Sequence, residues 1–418
     1  MACVPDAPIR PDAVARVFFS IGLKPVSVKS GDVVVRKSAS LLLTAGLLLG
    51  SVLPAMAETE DRSAIPLGSL DEVAAFTGPG PSGIVVTPSG RVFVGFPRHA
   101  INHSGMTLGE LVKGKLVPYP DADTSQPSSR SDAQKLISVH GMTTDTQGRL
   151  WVIDDGKRAG IDGIVAGAAK VVGIDPQTNK VFASWVLKDA LRQDSHMNDL
   201  RVDLTHGAKG TAYVADSSFG EDPALVVVDL ATGKQRRVLS KDPSVVPQKD
   251  FVTQLDGVPM RYQGKASAFP HGGVDSITLS ADSSRLYYSP LTSRHLWSIP
   301  TAALADFSND DRKLAAQIRD EGEKVMTDGI ATDAQDRIYL TDAEHHQILR
   351  RWPDGHLDVV LRDPRLVWPD GIFVAGNQVY VTLGQWDRLG QHADTRKPPY
   401  LLIRTPTDGT PIFDAQPQ

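Results

Sequence analysis

Six stretches of the sequence each place a polar side chain at the start of an alternating apolar run. These side chains are Ser82, His140, Asn198 with Asp199, Asp275, Asp328 and Asp370. Carboxylate and amide oxygens suit a hard divalent cation, and carboxylates also pair with cationic small molecules. An imidazole at such a place is suited to moving a proton at neutral pH. If the six positions meet in space, they predict a site for a small polar ligand.

Three kinds of chemistry are compatible with these residues. The first is an enzyme in which His140 or His271, the latter just upstream of the fourth stretch, moves a proton. The second is a pure binding module, with a small ligand held by Asn198, Asp199, Asp275, Asp328 and Asp370. The third is a divalent cation, calcium or a similar ion, held by Asn198, Asp275 and Asp328. A purely structural alternative is that each Asp-Gly forms a turn and the carboxylate caps backbone N–H groups.

The stretches that carry these side chains share one pattern. In Thr327–Asp342, TDGIATDAQDRIYLTD, apolar residues alternate on both sides of a polar turn, which predicts a β-hairpin. The same pattern recurs in Pro81–Phe96, Val139–Asp154, Met197–Asp216, Gly273–Pro290 and Pro369–Leu383. Repeats of roughly 40 residues or more that hold several short strands are typical of propeller blades. We therefore predict an all-β protein, a single-domain six-bladed β-propeller whose inner strands bring the polar residues to one channel mouth.

Other segments fit this architecture. Val171–Leu187, Ala224–Leu239 and Gln347–Leu361 predict outer strand pairs around Pro-, Asn- or Gly-containing turns. Ser69–Phe76 and Tyr400–Phe413 are predicted to share the blade that closes the ring. Lys241–Pro270 lacks periodicity and predicts a loop that crosses one face. Ala302–Glu321 has apolar residues at helical spacing and predicts a helix.

Two further groups of residues have structural interpretations. Asp154, Asp155, Asp216 and Asp342 follow outgoing strands, where we expect them to accept hydrogen bonds from turn amides. The six tryptophans are expected to pack between blades; they are Trp151, Trp185, Trp297, Trp352, Trp368 and Trp386.

The composition narrows the range of partners. The chain has 418 residues, a net charge of −5 and 6% aromatic residues. Without a basic block, nucleic acid is excluded as a partner, and a small molecule is the partner we expect. The sequence holds no Cys/His zinc spacing, phosphate-binding loop or dinucleotide fingerprint. Cys3 is the single cysteine, so no intrachain disulfide can form.

The first 57 residues have the features of an export signal. Arg36 and Lys37 precede the apolar run Ser40–Val52, and Ala57 ends a small-x-small sequence. We expect a signal peptide that is cleaved after Ala57, with translation starting near Val33–Val35. This predicts a leader over 1–57, a propeller domain over 58–418, and a secreted or periplasmic protein without a membrane partner after cleavage.

Several segments resemble the major royal jelly protein / Yellow family. They include ALVVVDLATG at Ala224–Gly233, the long segment Gly273–Leu304, and LVWPDGIFVAGNQVYVT at Leu366–Thr382. The resemblance implies a secreted six-bladed propeller with a ligand cavity at its channel. Some insect members are similar to dopachrome-converting enzymes and others bind biogenic amines, and bacterial members carry the name dopachrome tautomerase-related. The resemblance thus implies a tautomerase-type isomerase or an amine-binding protein.

A second resemblance is to the gluconolactonase / regucalcin family, which has the same fold. There a Glu and later Asn or Asp residues hold a divalent metal. Asn198, Asp275 and Asp328 match three of these ligands, whereas Pro81 stands where the Glu would be. This resemblance implies a metal-dependent lactone hydrolase, with the missing Glu as the departure from that pattern.

Overall fold

The computed structural model describes residues 66–220, 222–261, 272–389 and 394–412. Within these ranges the chain forms six four-stranded antiparallel sheets and one separate two-stranded hairpin. Neighbouring inner strands contact each other around a closed ring. The protein is therefore a six-bladed β-propeller, which confirms the predicted fold. The predicted leader, residues 1–57, lies outside the described residues.

The first three blades follow one another along the chain. Blade 1 contains β2 (Ile84–Val86), β3 (Val92–Gly95), β4 (Leu108–Val112) and β5 (Lys115–Pro118), and α1 (Ala122–Ser125) follows it. Blade 2 contains β6 (Val139–Thr144), β7 (Leu150–Asp154), β8 (Lys170–Asp175) and β9 (Lys180–Val186). Blade 3 contains β10 (Met197–Asp203), β11 (Thr211–Asp216), β12 (Ala224–Asp229) and β13 (Gln235–Val238).

The other three blades complete the ring. Blade 4 contains β16 (Val274–Leu279), β17 (Arg285–Pro290), β18 (His295–Pro300) and β19 (Arg319–Glu323). Blade 5 contains β20 (Ile330–Thr332), β21 (Ile338–Asp342), β22 (Gln347–Arg351) and β23 (Leu357–Arg362). Blade 6 contains β24 (Pro369–Ala375), β25 (Gln378–Leu383), β26 (Tyr400–Pro406) and β1 (Asp71–Phe76). The pairing of β1 with β26 confirms the predicted closing blade.

The hydrophobic core lies between adjacent blades. One cluster joins Tyr213 and Leu225 of blade 3 to Ile277 and Leu286 of blade 4. Another joins blade 2, including the buried Trp151, to blade 3. Because each sheet packs one face on each neighbouring blade, strands such as β6, β11 and β16 are buried almost completely.

Local irregularities at the start of the inner strands aim side chains into the channel. The register shifts between Val139 and Met142 in β6, and again near the starts of β10, β16 and β24. Such β-bulges commonly redirect side chains beside functional sites. Glycines next to the polar residues at the strand starts allow neighbouring blades to pack closely. A side-chain Cβ at Gly329, for example, would lie 2.0 Å from the backbone oxygen of Asp370 and would clash with it. The Asp-Gly pattern therefore serves a close approach between neighbouring blades.

The insertion between blades 3 and 4 contains a hairpin of its own. Strands β14 (Val252–Leu255) and β15 (Val258–Arg261) pair with each other. Phe251 and Leu255 pack with Met326, Ala343 and Trp368 beside the channel mouth. The expected crossing loop thus includes an ordered flap, which we call the β14–β15 hairpin.

The predicted helix over Ala302–Glu321 is wrong in its extent. The segment holds two short helices, α2 (Thr301–Ala305) and α3 (Asp311–Ala315), and then β19. Asp310 caps α3 by accepting a hydrogen bond from Lys313 N, and the last residues form the outer strand of blade 4. Sheet completion therefore overrides the helical spacing. None of the helices in the described ranges is long and apolar enough to cross a membrane.

Candidate functional site

The predicted polar residues meet where the inner strands begin. Asn198, Asp199, Asp328 and Asp370 line one cavity at the channel, together with Ser82. Asp275 joins them because the side-chain amide of Asn198 donates a hydrogen bond to its Oδ1. We call Asn198, Asp199, Asp275, Asp328 and Asp370 the acidic ring. The cavity has a volume of about 20 Å³, enough for a water molecule, an ion or an ammonium group.

The carboxyl groups of Asp275 and Asp328 lie close enough to affect each other. Two neighbouring carboxyl groups can share a hydrogen bond only when one of them holds a proton. Burial, together with the nearby Asp370 and Asp199, raises the pKa of Asp275 to about 7, whereas Asp328 and Asn198 act in the opposite direction. Burial and the charge of Asp275 together hold the pKa of Asp328 well above its usual range. The pair is therefore poised to hold and release a proton near neutral pH.

Asp370 occupies the other side of the ring. Its Oδ2 accepts a hydrogen bond of 2.7 Å from Trp386 Nε1, and Ser82 lines the same cavity. Burial, followed by the charge of Asp328, raises the pKa of Asp370 well above its usual value. The hydrogen-bond partner of Asp370 is thus an indole N–H group rather than a cation.

Asp199 differs from the rest of the ring because it already has a cationic partner. Arg201 Nη1 lies 2.9 Å from Asp199 Oδ1, and Arg201 also donates to the backbone oxygen of Ile330. Burial still raises the pKa of Asp199, while Arg201 opposes that effect. The charge of Asp199 is thus largely matched, and the unmatched groups are Asp275, Asp328 and Asp370.

Two tryptophans that were expected in the core between blades lie at the site instead. Trp368 Nε1 donates to Asp328, and Trp386 Nε1 donates to Asp370. Trp386 also contacts His99, with ring centroids 5.4 Å apart. Their indole N–H groups explain the difference, because a buried indole requires an acceptor and the ring carboxyls provide one.

The β14–β15 hairpin lies beside this mouth. Thr253 Oγ1 donates a 2.7 Å hydrogen bond to Glu344, which also pairs with Arg294. Asp256 at the hairpin turn lies 3.4 Å from His346 and 3.5 Å from Arg388. The hairpin is therefore tied to blades 5 and 6 by polar contacts as well as by apolar packing.

The two histidines predicted from the sequence have different outcomes. His140 lies at the mouth, where its Nδ1 is 3.1 Å from the backbone oxygen of Asn198. Burial, together with the nearby His99, lowers the pKa of His140 to about 4. His271 lies outside the described residues. The catalytic role of both residues stays a prediction.

Three residues near His140 were missed. His99 and His196 each have ring centroids within 5.0 Å of the His140 ring, and Asp155 lies next to both. His196 directly precedes the inner strand β10, and His140 lies at the start of the inner strand β6. The position of His196 could therefore have identified it as a candidate site residue. His99 lies in the loop after β3, away from any inner strand, and no repeat pattern marks it.

The outgoing aspartates have the structural role that we expected. Asp154 accepts hydrogen bonds from the backbone N–H groups of Ile137 and Ser138, and Asp216 accepts one from His196. Asp342 accepts one from the N–H of Glu344. Asp155 fits this pattern with one oxygen only: Oδ1 accepts from Lys157, whereas Oδ2 faces the histidines.

Comparison with known proteins identifies a relative that is similar in sequence to part of this chain. Major royal jelly protein 6 of Apis mellifera is 26% identical over 187 residues, which cover 44% of this chain. The match spans only 39% of the length of that relative.

Solved structures with low similarity include a regucalcin described as a calcium-binding protein from Agrobacterium tumefaciens. It has 14% identity and a TM-score of 0.45, with coverage of 82% of this chain and 98% of that one. Virginiamycin B lyase from Staphylococcus aureus has 16% identity and a TM-score of 0.43, with coverage of 81% and 98%. At these values neither likeness carries functional information.

The family model described as Major royal jelly protein matches residues 137–388. This range runs from blade 2 into the last blade and covers more than half of the chain. It includes every residue of the acidic ring, although it begins after His99. The protein belongs to the major royal jelly protein family.

Proposed function

We propose that the protein binds a small metabolite with a protonated amine at the mouth of its central channel. One observation carries the proposal: the acidic ring contains Asp275, Asp328 and Asp370, which form no ion pair within the described parts of the chain. Buried carboxyl groups without counter-charge take up protons or attract a cation. An ammonium group supplies the charge and several N–H donors at once.

The surroundings of the ring support an aromatic or otherwise flat ligand body. The cavity of about 20 Å³ accepts only the ammonium end, so the rest of the ligand must lie above it. Trp386 and Trp368 flank the ring carboxyls, and the β14–β15 hairpin lies alongside. Aromatic walls also favour a nearby cation. The amine-binding insect members of the family, to which the sequence bears a resemblance, agree with this choice.

A thermal-shift screen of amines, catechols, indoles and lactones tests the proposal. We expect aromatic amines to raise the melting temperature by several degrees at saturation, because a ligand of the native state stabilises it. In D328N, which keeps the shape of the side chain but removes the charge, the shift should be lost. D354N changes an exposed blade-turn aspartate and should bind as the wild type does. Equal shifts in D328N and D354N would contradict the proposal.

A second candidate is proton transfer on the bound ligand, as in a tautomerase. The Asp275–Asp328 pair favours it, because two close carboxyl groups with raised pKa values can accept a proton from one ligand atom and return it to another. The composition of the ligand does not change in such an isomerisation. Conversion of dopachrome or a related quinone-like compound by the wild type, but not by D275N, would support it. If the protein binds the compound without converting it, the isomerase candidate is wrong and the binding function remains.

The lactonase alternative requires a metal on Asn198, Asp275 and Asp328. In the structure, the Asn198 side-chain amide donates directly to Asp275, so a metal bound to both would have to separate them. Lactone hydrolysis that EDTA abolishes and calcium restores would favour this alternative over the amine site.

A further inference from the structure

A second cluster of titratable residues lies at the same mouth, outside the acidic ring. His99, His140 and His196 come from blades 1, 2 and 3, and one ring nitrogen of each lies within 4.8 Å of the others. The ring centroids of His99 and His196 are 4.8 Å apart. Three imidazoles from three separate blades converge here without belonging to a hydrophobic cluster.

The donor atoms of the cluster are largely shielded from solvent. His140 and His196 are buried, and His99 is partly buried. An imidazole binds a metal through the lone pair of a ring nitrogen. The cluster therefore brings three such donor atoms together inside the protein.

Buried polar atoms of this cluster lack hydrogen-bond partners. Among the described residues, none makes a hydrogen bond to Nδ1 of His99, Nδ1 of His196 or Oδ2 of Asp155. Asp155 Oδ2 lies 3.5 Å from His99 Nδ1 and 3.6 Å from His196 Nδ1. Unsatisfied buried polar atoms are costly and are uncommon in native proteins. A bound ion would explain why a carboxylate and three imidazoles are kept together.

The backbone holds the three histidines in place. Arg98 N donates to Ser138 Oγ at 2.8 Å, and the Arg98 side chain donates to the backbone oxygens of His103 and Gly105. His196 N donates to Asp216 Oδ1 at 2.7 Å. His140 is fixed by its contact with Asn198 O. The cluster is thus positioned by the scaffold before any ligand binds.

We propose that His99, His140 and His196 bind a divalent transition-metal ion, with Asp155 as the neighbouring carboxylate that compensates its charge. Imidazole nitrogens suit zinc, cobalt, nickel, copper or iron, whereas calcium and magnesium require oxygen ligands. Three protein ligands leave a coordination position open, as in catalytic zinc sites. Bond lengths of about 2.0–2.1 Å would require the nitrogens to move closer together by roughly an ångström. This site is separate from the oxygen ligands of the acidic ring.

One side of the histidine cluster is partly accessible to solvent. Phe219 stacks on His196 with centroids 4.3 Å apart and is 46% exposed. Lys157 contacts the same aromatic ring, with Nζ 4.9 Å from the Phe219 centroid. A ligand that approaches the cluster from this side would pass beside an aromatic ring and a cation.

Metal titration of the untagged, EDTA-treated protein tests the proposal. We expect one Co²⁺ or Zn²⁺ per chain by calorimetry, and visible absorption of the cobalt form with nitrogen ligands. H99Q, at the partly exposed member of the set, should weaken binding at least 100-fold. D155N should weaken it about 10- to 100-fold, as for carboxylates that support metal-bound histidines. H295Q, at the outer strand β18, should bind as the wild type does.

Two results would overturn the proposal. One is unchanged Co²⁺ affinity in H99Q, with the variant folded as judged by circular dichroism. The other is metal binding that D328N abolishes and H99Q leaves intact, which would place the ion in the acidic ring. Binding of Co²⁺ to D328N with wild-type affinity would support the histidine site. That result does not depend on the proposed amine site, which the thermal-shift screen tests separately.

Discussion

Asp275 has an unusual set of neighbours for a buried carboxyl group. It accepts a hydrogen bond from Asn198 and lies near Asp328, Asp370 and Asp199. Burial is the largest cause of its pKa of about 7, and the charges of Asp370 and Asp199 add to it. A bound cation acts in the opposite direction, because it stabilises the charged carboxylate.

Binding of a cationic ligand should therefore release a proton from the ring. Below pH 7, where Asp275 is protonated, we expect the affinity for an aromatic amine to rise with pH. The increase should approach tenfold per pH unit for each proton released, and it should level off above about pH 7. Calorimetry in buffers of different ionisation enthalpy measures both the affinity and the proton release.

The D275N variant provides the comparison for this prediction. An amide does not titrate, so the pH dependence of amine affinity should become shallower by about one proton. An identical slope in D275N would show that another group controls binding.

Residue types at the blade starts were sufficient to predict which carboxyl and amide groups meet. Asn198, Asp275 and Asp328 all precede or begin inner strands, and the symmetry of the fold brings such positions together. His99 was beyond that reasoning, because it lies in a loop outside the repeated pattern. Asp155 was expected to accept hydrogen bonds from turn amides, and its second oxygen beside the histidines was not predicted. Neither the Asp199–Arg201 ion pair nor the Trp386 contact follows from the repeat.

At the level of single elements, the β14–β15 hairpin is a part of the fold that packs beside the site. Its apolar anchors are Phe251 and Leu255, which are buried, whereas Val258 in the second strand is 60% exposed. The Arg294 guanidinium packs over the Phe251 ring at 4.9 Å. The hairpin stays in place through a few side chains, since its own two strands are too few to be stable alone.

Replacing Phe251 by alanine should loosen this hairpin while leaving the blades folded. Loss of a buried phenylalanine costs about 3 kcal/mol or more where the surroundings cannot collapse. We expect faster amide hydrogen exchange over 251–261, with unchanged exchange in the blade strands, and weaker ligand binding. V258A is the matched control in the same hairpin and should leave exchange unchanged. Equal effects of the two substitutions would show that the hairpin is not anchored through Phe251.

The segment that follows β18, the third strand of blade 4, shows why individual helices and strands were harder to predict. Leu304, Phe307, Leu314 and Ile318 fit a helical period, yet the last of these precedes β19 rather than lying in a helix. The fourth strand of blade 4 comes from residues without strand-like alternation, and pairing with β18 determines its conformation. Hydrogen bonding to an existing sheet edge therefore outweighs local preference.

Across the whole molecule, buried acids and buried histidines have opposite effects on stability. The folded-state pKa of Asp275, about 7, exceeds the usual value of 3.8 for an aspartate, so folding takes up a proton between these values. The resulting stability is lost as the pH rises toward 7. The pKa of His140, about 4, lies below 6.5, so its contribution is lost as the pH falls from 6.5 to 4. The two effects partly cancel in the acidic range.

Single substitutions should separate these two effects. As the pH falls, D275N should gain less stability than the wild type, with a difference of at most about 1.4 kcal/mol per pH unit. H140Q should gain more stability than the wild type over the same range, because it lacks the imidazole whose protonation destabilises the folded state. Urea unfolding of the EDTA-treated proteins between about pH 4 and 7 measures both. Parallel stability curves for the three proteins would contradict the assignment of these two groups.

The closing blade has a consequence for how the chain is made. Asp71 of β1 pairs with Arg404 of β26, 333 positions later. Until that late strand has been synthesised, the growing arc of blades keeps an unpaired sheet edge, which is a surface prone to aggregation. Contacts so far apart in sequence also form slowly. We therefore expect the nascent chain to need protection from aggregation until β26 has been synthesised.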